Sequence, residues 1–178
     1  MPDRPRAIEQ EQRYVEAAEL FGAPLERLAR AYERDPDKRR DLLQDIHIAL
    51  WRSLARFDGR CSLRTWVYRV AHNTATSKVL RRQANAPTLV ALDSTWEAIA
   101  EHGDSEEHLL DRRRAIERLY ELIQRLRPID RQVILLYLEQ LDSPSIAEIT
   151  GLSSANVATK VHRIKQILIQ QFQQGQRR

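Results

Sequence analysis

From Pro36 to Pro87 the chain carries no further proline and a single glycine, Gly59. Breakers that sparse leave the backbone few places to turn. The scarcity is general: 178 residues hold five glycines and seven prolines, well short of the roughly 21 that average usage would supply. A many-stranded sheet needs more turns than this, so the predicted class is all-α. Between those prolines the reading is two helices around a loop from Phe57 to Ser62. In the first, Leu43, Ile46, Leu50, Leu54 and Phe57 recur at steps of three and four and form a buried stripe, with Asp41, Gln44, Asp45 and Arg52 away from it. The second is capped by Ser62, buries Leu63, Val67, Val70 and Thr74, and leaves Thr65, Arg69, His72 and Thr76 open, flanked by Trp66 and Asn73. An earlier helix, about Ala17 to Glu33 with Leu20, Leu25, Leu28 and Tyr32 inward, completes a three-helix core, and Gly22 and Pro24 leave the place of its first turn open.

Residues 83–104 lack sustained periodicity and contain Pro87 and Gly103, which reads as a linker with short turns at most, with Trp96 able to dock it on a neighbour. Helical spacing resumes near Ser105, with Leu109, Leu110, Ile116, Leu119, Ile123 and Leu126, and Pro128 opens a further helix over Ile129–Glu139. The expected organisation is thus two small helical domains, 1–82 and 109–178, joined by a flexible acidic linker over 83–108.

The formal net charge of +4 conceals a strong layout. Residues 38–82 carry eleven Lys and Arg against three acids, residues 83–111 carry seven acids and no Lys or Arg, and residues 112–178 carry twelve Lys and Arg against six acids. Two basic blocks around an acidic stretch suggest two modules that each meet a polyanion. The single cysteine excludes an internal disulfide, the first residues lack the apolar core of a signal peptide, and the longest apolar run, Val133–Leu138, is far below the roughly 18 residues of a membrane span. These features point to a cytoplasmic protein with no membrane partner.

Residues 142–168 have the spacing of a helix-turn-helix. Ala147 is the small residue needed where two helices cross, Gly151 supplies a left-handed turn, and Val157 anchors the second helix on the first. Asp142 or Ser143 can cap the first helix, with Pro144 in its opening turn, and Ser153 or Ser154 the second. Burying Val157, Val161, Ile164 and Leu168 leaves Asn156, Thr159, Lys160 and Arg163 on an open face able to reach base edges and phosphates in a major groove. In the earlier module, the loop and helix start FDGRCSLRTW set aromatic rings beside Arg60, Arg64 and Arg69, a mixture suited to single-stranded DNA. A core role for the inner face of Trp66 is equally compatible with the spacing. Cys61 reads as an incidental small loop residue rather than a redox sensor.

The run DLLQDIHIALWRSLARFDGRCSLRTWVYRVAHN, followed by LRPIDRQVILLYLEQL and the helix-turn-helix, resembles bacterial sigma factors of the extracytoplasmic-function group, over roughly residues 17–82 and 110–172. The resemblance implies a non-enzymatic factor that binds core RNA polymerase and promoter DNA and needs no cofactor. It implies that Asp41, Gln44 and Asp45, supported by Leu50 and Trp51, dock on the clamp helices of the polymerase beta-prime subunit, and that the second module meets the beta flap. It implies capture of a flipped base of the minus-ten element by the loop Asp58–Ser62, with Arg60, Cys61, Ser62 and Arg64. Thr65, Trp66, Arg69 and Asn73 would hold the melted strand, and Lys78, Arg81 and Arg82 the upstream duplex. Ser154, Asn156, Thr159, Lys160 and Arg163 would read the minus-thirty-five element. Many members of the group are held by an anti-sigma factor, and nothing in the sequence identifies one here.

This chain departs from the family pattern at Ser143 and Ser145, where an aromatic residue and a glutamate are usual, and at Ala158 and Thr159, where basic residues are frequent. Two rivals follow from the residues alone. A helix-turn-helix regulator binding duplex operators without polymerase would leave the Phe57–Trp66 loop and the Asp41–Asp45 cluster without a task. A metal enzyme would use His102 and His108 among Glu101, Asp104, Glu106 and Glu107, a segment without the regular structure that preorganises ligands.

Overall fold

A computed structural model describes the backbone of residues 4–85 and 107–176 and the side chains of 8–82 and 112–174. The described residues form seven helices: α1 (Arg4–Tyr32), α2 (Pro36–Leu54), α3 (Leu63–Asn85), α4 (Glu107–Gln124), α5 (Pro128–Leu138), α6 (Ser143–Thr150) and α7 (Ser154–Gln176). The expected all-α class is observed. The linker reading, Trp96 and the histidine cluster of the metal rival lie outside the described residues, apart from the ends of the 83–108 span, which continue α3 and begin α4.

Helix α1 starts well before the expected Ala17 and passes through Pro24 without ending. An interior proline costs about 3 kcal/mol. Burial of Ala17, Leu25, Leu28 and Ala29 on both sides of it offsets that cost. The early turns also pack on α2, where Tyr14 meets Trp51 edge to face at 5.4 Å and Gln10 Nε2 donates to the Trp51 carbonyl. Leu20, expected inside, is exposed.

Asp35 caps α2, its carboxylate accepting from the Asp37 and Lys38 amides. The buried stripe of α2 runs through Leu42, Ile46, Leu50 and Leu54 in steps of four. It therefore lies slightly around the helix from the expected one: Leu43 is half-buried, and Phe57 falls beyond the helix end. Ser62 caps α3 as expected, its hydroxyl accepting from the Thr65 amide at 3.0 Å.

The largest correction concerns α3. Its buried residues are Thr65, Val67, Tyr68, Ala71, His72 and Ala75, so Thr65 and His72 lie inside rather than on an open face. His72 is held by Tyr32 of α1 and Thr65 by the cap residue Ser62, and α3 as a whole packs on α1 and α2 and also meets α5 and α6. An apolar stripe cannot announce burial against polar partners.

In the second module, Leu122, Ile123 and Leu126 bury the end of α4 and the turn after it, whereas Ile116 is exposed. Helix α5 buries an unbroken run from Asp130 to Leu136. Buried side chains of α1, α2 and α3 join those of α4 to α7 in one continuous apolar cluster. The seam between modules also holds a polar group: Tyr32 Oη shares a hydrogen bond with His72 Nδ1 at 3.1 Å, and the Arg131 guanidinium lies 5.1 Å from the Tyr32 ring centre. No helix among the described residues is long and apolar enough to cross a membrane.

Candidate nucleic-acid interface

The turn between α6 and α7 has the geometry that its spacing predicts. Asp142 caps α6, accepting from the Ser145 amide, and Gly151 ends it at φ 76°, in the left-handed region that side chains other than glycine adopt at a cost. Ala147 packs against the core and its carbonyl accepts from the Gly151 amide at 2.9 Å. Ser153 rather than Ser154 caps α7, its hydroxyl accepting from the Asn156 amide at 3.3 Å. Val157, Val161, Ile164 and Leu168 are all buried, which fixes the rotation of α7 and turns Ser154, Asn156, Thr159 and Arg163 outward.

Lys160 differs from its neighbours. It is half-buried, and its ammonium donates to Asp130 Oδ1 at 2.7 Å. The same carboxylate receives Arg127 through Nη2 at 2.8 Å and through Nε at 3.0 Å, and Arg163 Nη2 lies 3.5 Å from Oδ2. Burial alone would raise the Asp130 pKa, but hydrogen bonds from Lys160 and Arg127 outweigh it and hold the carboxyl below its usual range. Sequence reasoning did not single out Asp130. It is the acid in the first turn of α5, where the helix dipole favours a carboxylate whatever else it touches.

On the first module, the Asp58–Ser62 loop turns at Gly59, with φ 75°. Arg60 is exposed and paired with Asp58 at 3.0 Å, Ser62 is exposed, and Cys61 is half-buried with its thiol pKa raised by burial. Trp66 is half-buried, its Nε1 donating to Ser53 Oγ at 3.0 Å and its ring meeting Phe57 edge to face at 5.4 Å. Thr65 lies beneath this surface, bonded to Ser62.

Two of the arginines expected to hold DNA, Arg64 and Arg69, are already engaged by the second module. Arg64 donates to the Glu139 carbonyl, and Arg69 Nη2 donates to the Glu148 carbonyl at 3.0 Å and lies 3.4 Å from its carboxylate. Glu139 also receives Arg27 through two bonds, at 2.7 and 2.8 Å. Neither Glu139 nor Glu148 carried a sequence signal, because each acts on a residue 71 or more positions away. Asn73 and Arg81 are exposed, and Arg82 pairs with Glu33.

Of the expected docking residues, Asp41, Gln44 and Asp45 are exposed on α2, Trp51 is exposed beside Tyr14, and Leu50 is buried beneath them. Lys78 Nζ contacts Asp45 Oδ2 at 2.5 Å. Residues assigned to two different partners therefore share one patch.

Comparisons with known proteins agree with this architecture. The Sigma-70 region 2 family matches residues 18–85 and the Sigma-70 region 4 family matches residues 116–168. The chain is 30% identical over 127 residues to the RNA polymerase sigma factor YlaC of Bacillus subtilis (strain 168), covering 71% of this chain and 72% of that one. It is 26% identical over 163 residues to the sigma factor NccH of Alcaligenes xylosoxydans xylosoxydans, covering 91% and 82%. Among solved structures, the fold is similar to CnrH in complex with the cytosolic domain of CnrY, with TM-score 0.62, 20% identity and coverage of 93% and 94%. It is also similar to the sigma factor RpoE in complex with the anti-sigma factor NepR from Bartonella quintana, with TM-score 0.67, 18% identity and coverage of 90% and 96%. With a region 2 match, a region 4 match and these relatives, the chain belongs to the sigma-70 family of RNA polymerase sigma factors, in its extracytoplasmic-function group.

Proposed function

We propose that this sigma factor divides its task between residues 1–82, which dock on core polymerase and hold the melted minus-ten strand, and residues 109–178, which read the minus-thirty-five element. The observation that carries the reading is the α6–α7 turn, where Gly151 at φ 76° and fully buried Val157 present Asn156, Thr159 and Arg163 to solvent along one face. A face of this kind enters the major groove and bonds base edges and phosphates.

On the first module, Asp41, Gln44 and Asp45 supply the docking surface for the beta-prime clamp, and the Asp58–Ser62 loop with Arg60, Cys61 and Ser62 receives a flipped base. Unstacking a base costs a few kcal/mol, which phosphate contacts and stacking must offset. Arg64 and Arg69 can supply those contacts once they exchange the Glu139 carbonyl and Glu148 for DNA, so the promoter-bound form requires α5 and α6 to leave this face. Trp66 acts from beneath, bracing the loop through Phe57 and Ser53. The activity is binding without catalysis, exercised where the polymerase is, in the cytoplasm.

In vitro transcription with core polymerase on a genomic fragment library, with and without the protein, tests the reading. Promoter-specific transcripts that depend on the protein are expected. Tight sequence-specific binding of duplex DNA by the free chain, with no such transcripts, would overturn it in favour of an operator-binding regulator.

A further inference from the structure

The cations around Asp130 are not equivalent. Asp130 is 5% exposed, and the side chains of its three partners are 16% exposed for Lys160, 53% for Arg163 and 68% for Arg127. Lys160 makes the shortest contact, at 2.7 Å, and its ammonium points inward to α5. Arg163 reaches the carboxylate with one terminal nitrogen at 3.5 Å and leaves the rest of its guanidinium toward solvent.

A guanidinium carries five donors in a fixed fork, so anchoring one end restricts where the other can go. A base-reading group held by a partner behind it loses less rotamer entropy on binding and discriminates more sharply. An ammonium already bonded to a buried carboxylate would have to leave that carboxylate uncompensated in order to reach DNA, which is costly.

We propose that Asp130 is a positioning residue for DNA reading: through its carboxylate it aims Arg163 at the groove and holds Lys160 back as a tether between α5 and α7. The inference rests on the reading of α7 as the minus-thirty-five reader, and it reverses the direct DNA role expected for Lys160. Discrimination at the upstream element comes from Arg163 with Asn156 and Thr159. Lys160 contributes no phosphate contact.

The test uses the full chain bound to core polymerase and a duplex library randomised across the upstream element. The wild type is expected to enrich a defined sequence set. Asp130→Asn keeps the shape and removes the charge; it should lower the ratio of preferred to scrambled binding roughly tenfold, the range of one lost base contact. Freed Lys160 should at the same time steepen the salt dependence on scrambled DNA by about one logarithmic unit per unit log salt. A merely structural role would weaken both affinities together and leave the salt slope alone. Lys160→Gln leaves Asp130 paired with both arginines and decides the matter even if Asp130→Asn fails to fold. An unchanged salt slope supports the tether, and a slope shallower by about one makes Lys160 a phosphate contact and overturns it. A folded Asp130→Asn variant that keeps the wild-type preference also overturns it. A wild type that enriches nothing overturns the α7 reading and the inference with it, whereas the other failures leave that reading intact.

Discussion

The two arginine-bearing faces are restrained from different places. On α7, Arg163 and Lys160 are held by Asp130, a carboxylate of their own module. On α3, Arg64 and Arg69 are held by Glu139 and Glu148, which belong to the other module. The first arrangement is compatible with DNA binding as it stands, because Asn156, Thr159 and much of Arg163 remain open. The second occupies the donors that DNA would need. One face is preset and the other is covered, and the cover is the helix-turn-helix module itself.

The strongest way to break this contrast is to ask whether the modules are one folding unit. Leu50 is buried on α2 of the first module, and the apolar cluster that contains it continues through the α4–α7 module, where Ile164 of α7 is buried. Leu50→Ala should cost about 2–5 kcal/mol, as large-to-small core changes do. If the seam couples the modules, urea unfolding followed by tryptophan fluorescence and by far-UV circular dichroism should give coincident, equally shifted transitions. Two separate transitions, with the α4–α7 signal unshifted, would show that the cover is loosely held.

His72 tests the seam itself. Burial pushes its pKa down from 6.5 to about 3, so between these values the unfolded chain binds a proton that the folded chain does not. Stability contributed by the neutral imidazole is therefore full above pH 6.5 and falls as pH drops toward 3. Between pH 7.5 and 5 the loss should be about 2 kcal/mol from this group. The difference in urea midpoints between wild type and His72→Gln, taken at both pH values, measures it. Equal pH dependence in the two proteins would mean that His72 is reached by water and that the seam opens readily.

Gly151→Ala acts on the preset face alone. Nothing lies within 4 Å of the added Cβ, so the cost is conformational. A φ of 76° makes it about 1–2 kcal/mol. Thermal melting should register this, and upstream-element binding should fall with it as α7 turns away from α6, while binding of a single-stranded minus-ten oligonucleotide stays unchanged.

The same contrast explains what the sequence disclosed. The helix-turn-helix was legible because its determinants are local: Asp142, Gly151 and Ser153 each act within four residues, and the buried set of α7 has an uninterrupted helical period. On α2 the periodicity found the stripe but placed its edge one residue off, at Leu43 instead of Leu42, because both are leucines in adjacent positions. On α3 the open face was misread at Thr65 and His72, since each is buried against a polar partner, Ser62 and Tyr32 of α1, that an apolar period does not mark. Asp130 carried no signal because its role is set by tertiary packing. Its partners at positions 127, 160 and 163 include two that are only brought near by the α5–α7 packing.

Glu148→Ala makes the smallest change in stability and the sharpest comparison of the two faces. Glu148 is exposed and Arg69 is only half-buried, so loss of the pair should cost no more than about 1 kcal/mol. The carbonyl bond from Arg69 survives the substitution, so the cover is loosened and not removed. Binding of a single-stranded minus-ten oligonucleotide should tighten by a few-fold, because one competitor for Arg69 is gone, and the upstream preference set by α7 should not move. Unchanged single-strand affinity in a variant with wild-type melting would mean that Arg69 is not part of the strand-binding surface. A shift in upstream preference instead would mean that the two faces are read jointly, and that their separate restraint is a property of the closed form alone.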